Sequence, residues 1–139
     1  MMLEIEPIVR IVLAFILGAL VGFERELSRK PAGLRTNSLV GLGSALFTIL
    51  SYEAFPGGDP SRLASGIVVG VGFLGAGTII KTKEKVRGLT TAATLWTVAS
   101  IGVTVGAGYY ALGIVATVLA FIALKLDVIE NAIKKRRAD

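Results

Sequence analysis

The chain contains no histidine and no cysteine. Their absence excludes Ser-His and Cys-His nucleophilic systems, zinc sites of the common kind and histidine proton relays. It also leaves no thiol from which the redox compartment could be read. No nucleophile–base pair is visible, and an enzyme that uses a coupled titration of Glu24 and Glu26 is the weakest alternative. We therefore expect a protein that is not an enzyme and that has no cofactor.

Linkers rich in serine or proline are also missing, whereas apolar residues make up 53% of the chain. Five apolar runs fill most of it, at residues 8–23, 36–55, 63–80, 89–105 and 109–124. As a helix each run is about 24–30 Å long, close to the thickness of the bilayer core. Gly106 and Gly108, followed by Tyr109 and Tyr110, favour a turn at the membrane surface between the last two runs. The predicted fold class is all-α, a polytopic transmembrane bundle of about five short, glycine-rich helices.

Basic residues lie in alternate connections of this bundle. They are Arg25, Arg29, Lys30 and Arg35, then Lys81, Lys83, Lys85 and Arg87, then Lys125, Lys134, Lys135, Arg136 and Arg137. By the positive-inside rule the amino terminus is outside and the carboxyl terminus cytoplasmic, which predicts a multi-pass protein of the cell (inner) membrane. A four-span arrangement would put one basic group outside and is less favoured.

The same topology divides the chain into two parts. It also explains the net charge of +5, because nearly all of the basic residues lie on the predicted cytoplasmic side. Residues 1–126 form the predicted transmembrane domain, and residues 127–139 form a basic cytoplasmic tail that we expect to lie on anionic lipid. Because no soluble module presents a basic face, we expect no nucleic-acid partner.

Small residues recur at a spacing of four and predict close helix contacts, within the chain or in a homodimer. The predicted packing positions are Gly18, Gly22, Gly66, Gly70, Gly72, Gly75, Gly77, Gly102 and Gly106. Residues 70–77 also match the dinucleotide fingerprint, but that motif requires a βαβ unit and here lies inside an apolar run. Two alternatives explain the glycines. The helix unwinds there and lines a cavity, or the glycines leave one helix face without side chains so that another helix can pack closely. The second alternative is slightly preferred.

Polar residues form a stripe on each of two runs. The first contains Asn37, Gly41, Ser44, Thr48 and Ser51, and the second contains Thr90, Thr94, Thr97 and Thr104. Hydroxyls that bond to carbonyls one turn back would hold these helices together without any further function. The alternative is a solvated pathway, and the structural reading is favoured.

Charged side chains gather at the predicted cytoplasmic edge. Glu24 follows Gly22 and Phe23 without a polar spacer, so its carboxylate should lie at the apolar boundary and needs a partner. Arg35 and Arg87 are the first candidates. Carboxylates border the runs but never lie in the middle of one, so a dedicated Mg²⁺ cage within the membrane is not supported, while passage of a hydrated ion stays open.

Four ordered motifs resemble the MgtC/SapB membrane family over about residues 8–124. They are Gly22-Phe23-Glu24-Arg25-Glu26, Ala32-Gly33-Leu34-Arg35-Thr36, Asp59-Pro60-Ser61-Arg62 running on to Gly72-Phe73-Leu74-Gly75-Ala76-Gly77, and Val86-Arg87-Gly88-Leu89-Thr90-Thr91-Ala92-Ala93-Thr94-Leu95-Trp96. The resemblance implies that the polar residues of these motifs are functional candidates. They are Glu24, Arg25, Glu26, Arg35, Arg87, Thr90 and Thr91, with Asp59 and Arg62 on the outer side. Asn37 and Thr94 join them from the polar stripes.

The resemblance implies a small inner-membrane protein of Mg²⁺ homeostasis. It offers two mechanisms: regulation of another membrane complex, such as the ATP synthase or a cation pump, or transport of Mg²⁺ or another cation. The absence of acids in the middle of the runs, together with the abundant small-residue faces, favours regulation. Longer members of the family continue into a soluble domain, and since this sequence ends at Asp139 we expect it to represent the transmembrane domain alone.

Overall fold

A computed structural model of the chain describes the backbone of residues 5–55 and 57–136 and the side chains up to residue 126. Five helices follow one another: α1 Ile5–Leu27, α2 Leu34–Glu53, α3 Ser61–Thr78, α4 Leu89–Gly106 and α5 Tyr110–Arg136. Two short antiparallel strands, β1 Ile80–Lys81 and β2 Val86–Arg87, join α3 to α4, with Ile80 opposite Arg87. The all-helical prediction with five helices is confirmed, although the hairpin was not part of it.

The predicted break between the last two helices lies where expected. The amides of Ala107, Gly108 and Tyr109 bond to carbonyls of the last turn of α4, at 2.9–3.0 Å. Helix α5 then continues to Arg136, well beyond the predicted end of the run at residue 124. The side chains of the predicted basic tail, and residues 137–139 altogether, lie outside the described part of the chain.

Three helices, α1, α3 and α4, are long and apolar enough to cross a membrane. Large apolar side chains cover the outside of the bundle, and on α3 Val69 is 74% and Phe73 81% exposed. Asn37, Ser44 and Thr48 are instead buried. Because water would not favour this arrangement and lipid does, the chain is a membrane protein whose outer surface contacts the bilayer.

Helices α1, α2 and α4 form the tightly packed centre of the bundle. A Cβ atom added to Gly18 would lie 2.5 Å from the carbonyl oxygen of Asn37, and one added to Gly102 would lie 2.5 Å from that of Gly41. Side chains at these two sites would therefore push the backbones apart. Around the glycine contacts lies an apolar cluster formed by Ala14, Leu17, Ala45, Ile101 and Val105.

Helix α3 packs mainly on α4 and only loosely on the rest of the bundle. Val71 lies against Leu95 and Ala99, and a Cβ added to Gly75 would lie 3.4 Å from the Cβ of Ala92. Gly66, Gly70, Gly72 and Gly77 would place an added Cβ in open space, with nothing within 4 Å. The glycine-rich stretch is continuous helix, so the alternative of local unwinding is wrong.

The turn from the hairpin into α4 requires a glycine. Gly88 has φ +87°, and a Cβ there would lie 1.9 Å from the carbonyl oxygen of Thr78. The Thr78 hydroxyl donates a hydrogen bond to the carbonyl of Gly75 at 2.8 Å and also lies 3.4 Å from that of Gly88, so its single proton is shared between the two. The start of α4 is thereby fixed to the end of α3.

Candidate functional site

The end of the bundle where α1 ends and α2 and α4 begin collects most of the candidate polar residues, and we call it the charged end. Two consecutive charged side chains of α1 are buried there, Glu24 with 2% and Arg25 with 4% of its surface exposed. Adjacent helix positions differ by about 100° around the axis, so the two side chains face different neighbours.

Glu24 bonds to the turn that follows α1 and to α5. Its Oε1 accepts a hydrogen bond from the Ser28 hydroxyl at 2.7 Å and lies 3.4 Å from Nζ of Lys125. The expectation that Arg35 or Arg87 would be the partner is wrong. Glu24 lies two residues, or about 200°, beyond Gly22, the residue that faces α2, and therefore points toward α5 instead.

Arg25 connects α1 to α4. Its Nη2 donates a hydrogen bond to Oγ1 of Thr91 at 3.3 Å, and Thr91 is itself buried. A buried guanidinium requires hydrogen-bond acceptors around it because it cannot lose its charge. The carried-over pair Arg25 and Thr91 thus forms one interhelical contact.

Asn37 is completely buried beside Gly18 and Gly22 of α1. Its amide nitrogen donates hydrogen bonds to the carbonyls of Ala32 and, at 3.1 Å, Gly33. These bonds secure the turn between α1 and α2, in which Ala32 adopts φ +56°. Asn37 therefore organises a connection at the charged end and does not bridge to α4.

Glu26 caps the start of α2 from the end of α1. Its Oε2 accepts a hydrogen bond from the amide of Leu34 at 3.0 Å. A carboxylate at this place satisfies a free amide and interacts favourably with the helix dipole. Glu26 is exposed, and so are the candidates Arg35, Arg87 and Thr90.

Two buried oxygen atoms of the charged end have no hydrogen-bond partner within the described residues: Oε2 of Glu24 and Oδ1 of Asn37. Buried polar atoms are rarely left unsatisfied, so each is a place where water, a cation or a partner's donor would be stabilised. They do not converge, because Asn37 lies on the Gly22 side of α1 and Glu24 points away from it. Residues 5–55 and 57–126 contain no group of three or more Asp or Glu side chains that could hold a metal ion.

Threonine hydroxyls of both polar stripes bond within their own helices, whereas Ser51 donates to the carbonyl of Pro60, just before α3. Thr48 donates to the carbonyl of Ser44, Thr94 to that of Thr90 and Thr104 to that of Ser100, at 2.7–2.8 Å. Bonding one turn back is as expected, but it occurs within each helix. The contact between α2 and α4 comes from the backbone at Gly102 and Gly106.

The opposite end of the bundle contains a contact that the sequence did not single out. Arg10 donates from Nη1 to the carbonyl of Gly106 at 3.1 Å and also bonds to Glu6 and to the Tyr110 hydroxyl. The carbonyls at the end of α4 lack helical partners, and a guanidinium satisfies them well. A lone arginine inside an apolar run was the available signal for this role.

Asp59 and Arg62, the outer-side candidates, stand at the start of α3. Oδ1 of Asp59 accepts a hydrogen bond from the amide of Ser61 at 2.9 Å. Hydrogen bonds from Ser61, with Arg62 contributing less, hold the pKa of the Asp59 carboxyl below its ordinary value. This pair is remote from Glu24 and begins a helix.

Comparison with known proteins gives consistent matches. The MgtC family model matches residues 11–131. The chain is 45% identical over 129 residues to an Escherichia coli K12 protein provisionally named magnesium transporter YhiD, covering 87% of this chain and 60% of that one. It is 52% identical over 105 residues to Protein MgtC of Brucella abortus strain 2308, covering 76% and 44%.

A third relative, Protein MgtC of Salmonella typhimurium LT2, is 46% identical over 122 residues, covering 88% of this chain and 52% of the relative. The chain thus spans about half the length of the curated relatives it matches. No solved structure matches it. Since the family model extends over most of the sequence, this chain belongs to the MgtC family.

Proposed function

We propose that the chain acts in Mg²⁺ homeostasis as a multi-pass inner-membrane protein that contacts and regulates another membrane complex. In this proposal all five helices cross the bilayer, with the amino terminus outside and the charged end in the cytoplasm. The names of the relatives, which include a magnesium transporter, support the link to Mg²⁺. The ATP synthase and cation pumps are the partner classes that the family resemblance implies.

The observation that carries the proposal is the outer surface of α3, formed by Val69, Gly72, Phe73, Ala76 and Gly77. All five residues are exposed, and an added Cβ at Gly72 or Gly77 would meet nothing. Bare glycines on a membrane helix let another helix approach closely, whereas they gain nothing from lipid. The surface therefore suits a transmembrane helix of a partner.

Substitutions on this surface test the proposal. Gly72→Leu and Gly77→Leu should leave the chain folded, because both sites have room, but should keep a partner helix at a distance. We expect the wild-type chain to retain a membrane complex after crosslinking and purification, and both variants to lose it together with growth at low Mg²⁺. Ala111→Leu, an exposed small residue on α5, is the matched control. Absence of any partner above background would remove the basis of the proposal.

Transport of Mg²⁺ or another cation is the second candidate function. It is favoured by the unsatisfied buried oxygens of Glu24 and Asn37 at the charged end. The hydroxyls of Thr48 and Thr94 already donate to carbonyls of their own helices, which argues against a continuous hydrated path along the stripes. Mg²⁺ entry into proteoliposomes separates the two functions: flux above empty liposomes that falls in Glu24→Gln, but not in Glu53→Gln, would establish transport in place of regulation.

A further inference from the structure

Helix α3 packs mainly against α4, and a groove lies between α3 and α2. The groove has a volume of about 770 Å³, and its walls run from Arg35 to Phe47 on α2 and from Leu63 to Leu74 on α3. This volume lies within the range of small-molecule sites in proteins. Along α2 the groove extends about 18 Å at 1.5 Å per residue, which is more than half the thickness of a bilayer core.

The lining is apolar over most of this length. Glycines at three wall positions, Gly43, Gly66 and Gly70, provide the space, since an added Cβ at each would meet nothing within 4 Å. An extended hydrocarbon chain fits a slot with these properties.

One end of the groove is cationic. The Arg35 side chain lines it, is exposed, and makes no hydrogen bond or ion pair with any residue of 5–55 or 57–126. The nearby hairpin segment adds Lys81, Lys83, Lys85 and Arg87 against Glu84 alone. The end at Phe47 and Leu63 has no charged wall residue. The groove is thus apolar along its length and positive at the charged end only.

We propose that this groove binds an anionic phospholipid, with an acyl chain between α2 and α3 and the phosphate on Arg35. A guanidinium donates paired hydrogen bonds to phosphate oxygens, and the cytoplasmic leaflet is the source of anionic lipid. The site goes beyond the proposed function. Gly72 lies about 200° around α3 from Gly70, so Gly72→Leu addresses the partner surface without entering the groove, whereas Gly77 lies within about 20° of the direction of Gly70.

Native mass spectrometry of the purified full chain tests the proposal with phosphatidylglycerol and phosphatidylcholine of identical acyl chains. We expect wild type to prefer phosphatidylglycerol, and Arg35→Gln to lose about tenfold in affinity for it, the effect of one charge-assisted hydrogen bond. Phosphatidylcholine binding should be unchanged in this variant. Arg62→Gln, an exposed arginine at the other end of α3, is the control for charge and should keep the preference.

The double substitution Gly43→Leu and Gly70→Leu fills the groove and should reduce the binding of both lipids about tenfold. Gly72→Leu, outside the groove, should bind them as wild type does. An unchanged phosphatidylglycerol preference in Arg35→Gln would overturn the proposal even if the filled variant fails to fold. So would a dimer without bound lipid that dissociates when the groove is filled, because a second copy of the chain would then be the occupant.

Discussion

Glu24 of α1 and Lys125 of α5 form an ion pair across the charged end, with 3.4 Å between Oε1 and Nζ. The carboxylate is almost fully buried, whereas half of the lysine side chain is exposed. A buried acid is costly without a partner, so the lysine compensates it while its own charge stays hydrated. The pair fixes the position of α5 relative to α1.

Replacing Lys125 by Met should lower the free energy of unfolding by about 1 kcal/mol, because the pair is partly screened by solvent. Unfolding of the purified chain in detergent measures this loss. Arg35→Met is the control and should stay within about 0.5 kcal/mol of wild type. A double-mutant cycle with Glu24→Gln that gives no coupling energy would show that the two charges do not interact.

Gly102→Ala tests the contact between α2 and α4. The added methyl would overlap the carbonyl oxygen of Gly41, so the helices must separate, at a cost of about 1–3 kcal/mol. Gly72→Ala on α3 meets nothing and should be neutral or stabilising by about 0.5–1 kcal/mol through helix propensity. Thermal unfolding midpoints in detergent give both values, and equal midpoints would mean that α2 and α4 are not in backbone contact.

Asn37→Leu should destabilise the chain by about 1–3 kcal/mol. The substitution leaves the part-buried carbonyl of Ala32 without its side-chain donor, while the carbonyl of Gly33 keeps only the backbone amide of residue 37. Thr36→Leu, at the exposed neighbouring position, is the matched control for the thermal midpoint. If the Asn37 variant kept the wild-type midpoint but lost activity, the residue would be functional and not structural.

The start of α3 should weaken at acid pH. The folded pKa of Asp59 lies below its ordinary value of 3.8, so the carboxylate stabilises this turn fully above that value and less as pH falls through the folded pKa. Hydrogen exchange of the amides of residues 61–64 is the readout. Wild type should be better protected than Asp59→Ala at about pH 6, and the difference should shrink as the pH is lowered through the folded pKa. A difference that stays constant throughout an acid titration that protonates the carboxyl would assign the protection to a contact other than the ionised carboxylate.

Local patterns predicted the helices and much of the interior. The spacing of four that joins Gly18 to Gly22 places both on one face of α1, and the structure has that face against α2. The same spacing could not distinguish an inward face from an outward one on α3. Gly75 contacts Ala92, but Gly70 faces the groove. Glycine spacing describes a helix surface, and what lies against it depends on the other helices.

The ion-pair partner of Glu24 could not be predicted from the sequence. Helical periodicity alone separates Glu24 from the α2 side of α1, which disfavours Arg35. The choice of Lys125 depends on α5 returning beside α1, about a hundred residues later in the chain. Such long-range adjacency is set by the packing of the whole bundle and is not encoded in any short motif.

Arg10 offers a test at the opposite end of the molecule. Its guanidinium satisfies the carbonyl of Gly106 where α4 ends and also contacts Tyr110 at the start of α5. Arg10→Met removes the guanidinium that bonds to this carbonyl. The free energy needed to open the turn between the two helices should therefore fall by about 1–3 kcal/mol. We expect faster hydrogen exchange at the amides of Gly108 and Tyr109, with no change in α3. Arg62→Met, also at this end, should leave the turn unaffected, and equal exchange in both variants would mean that Arg10 does not hold the two helices together.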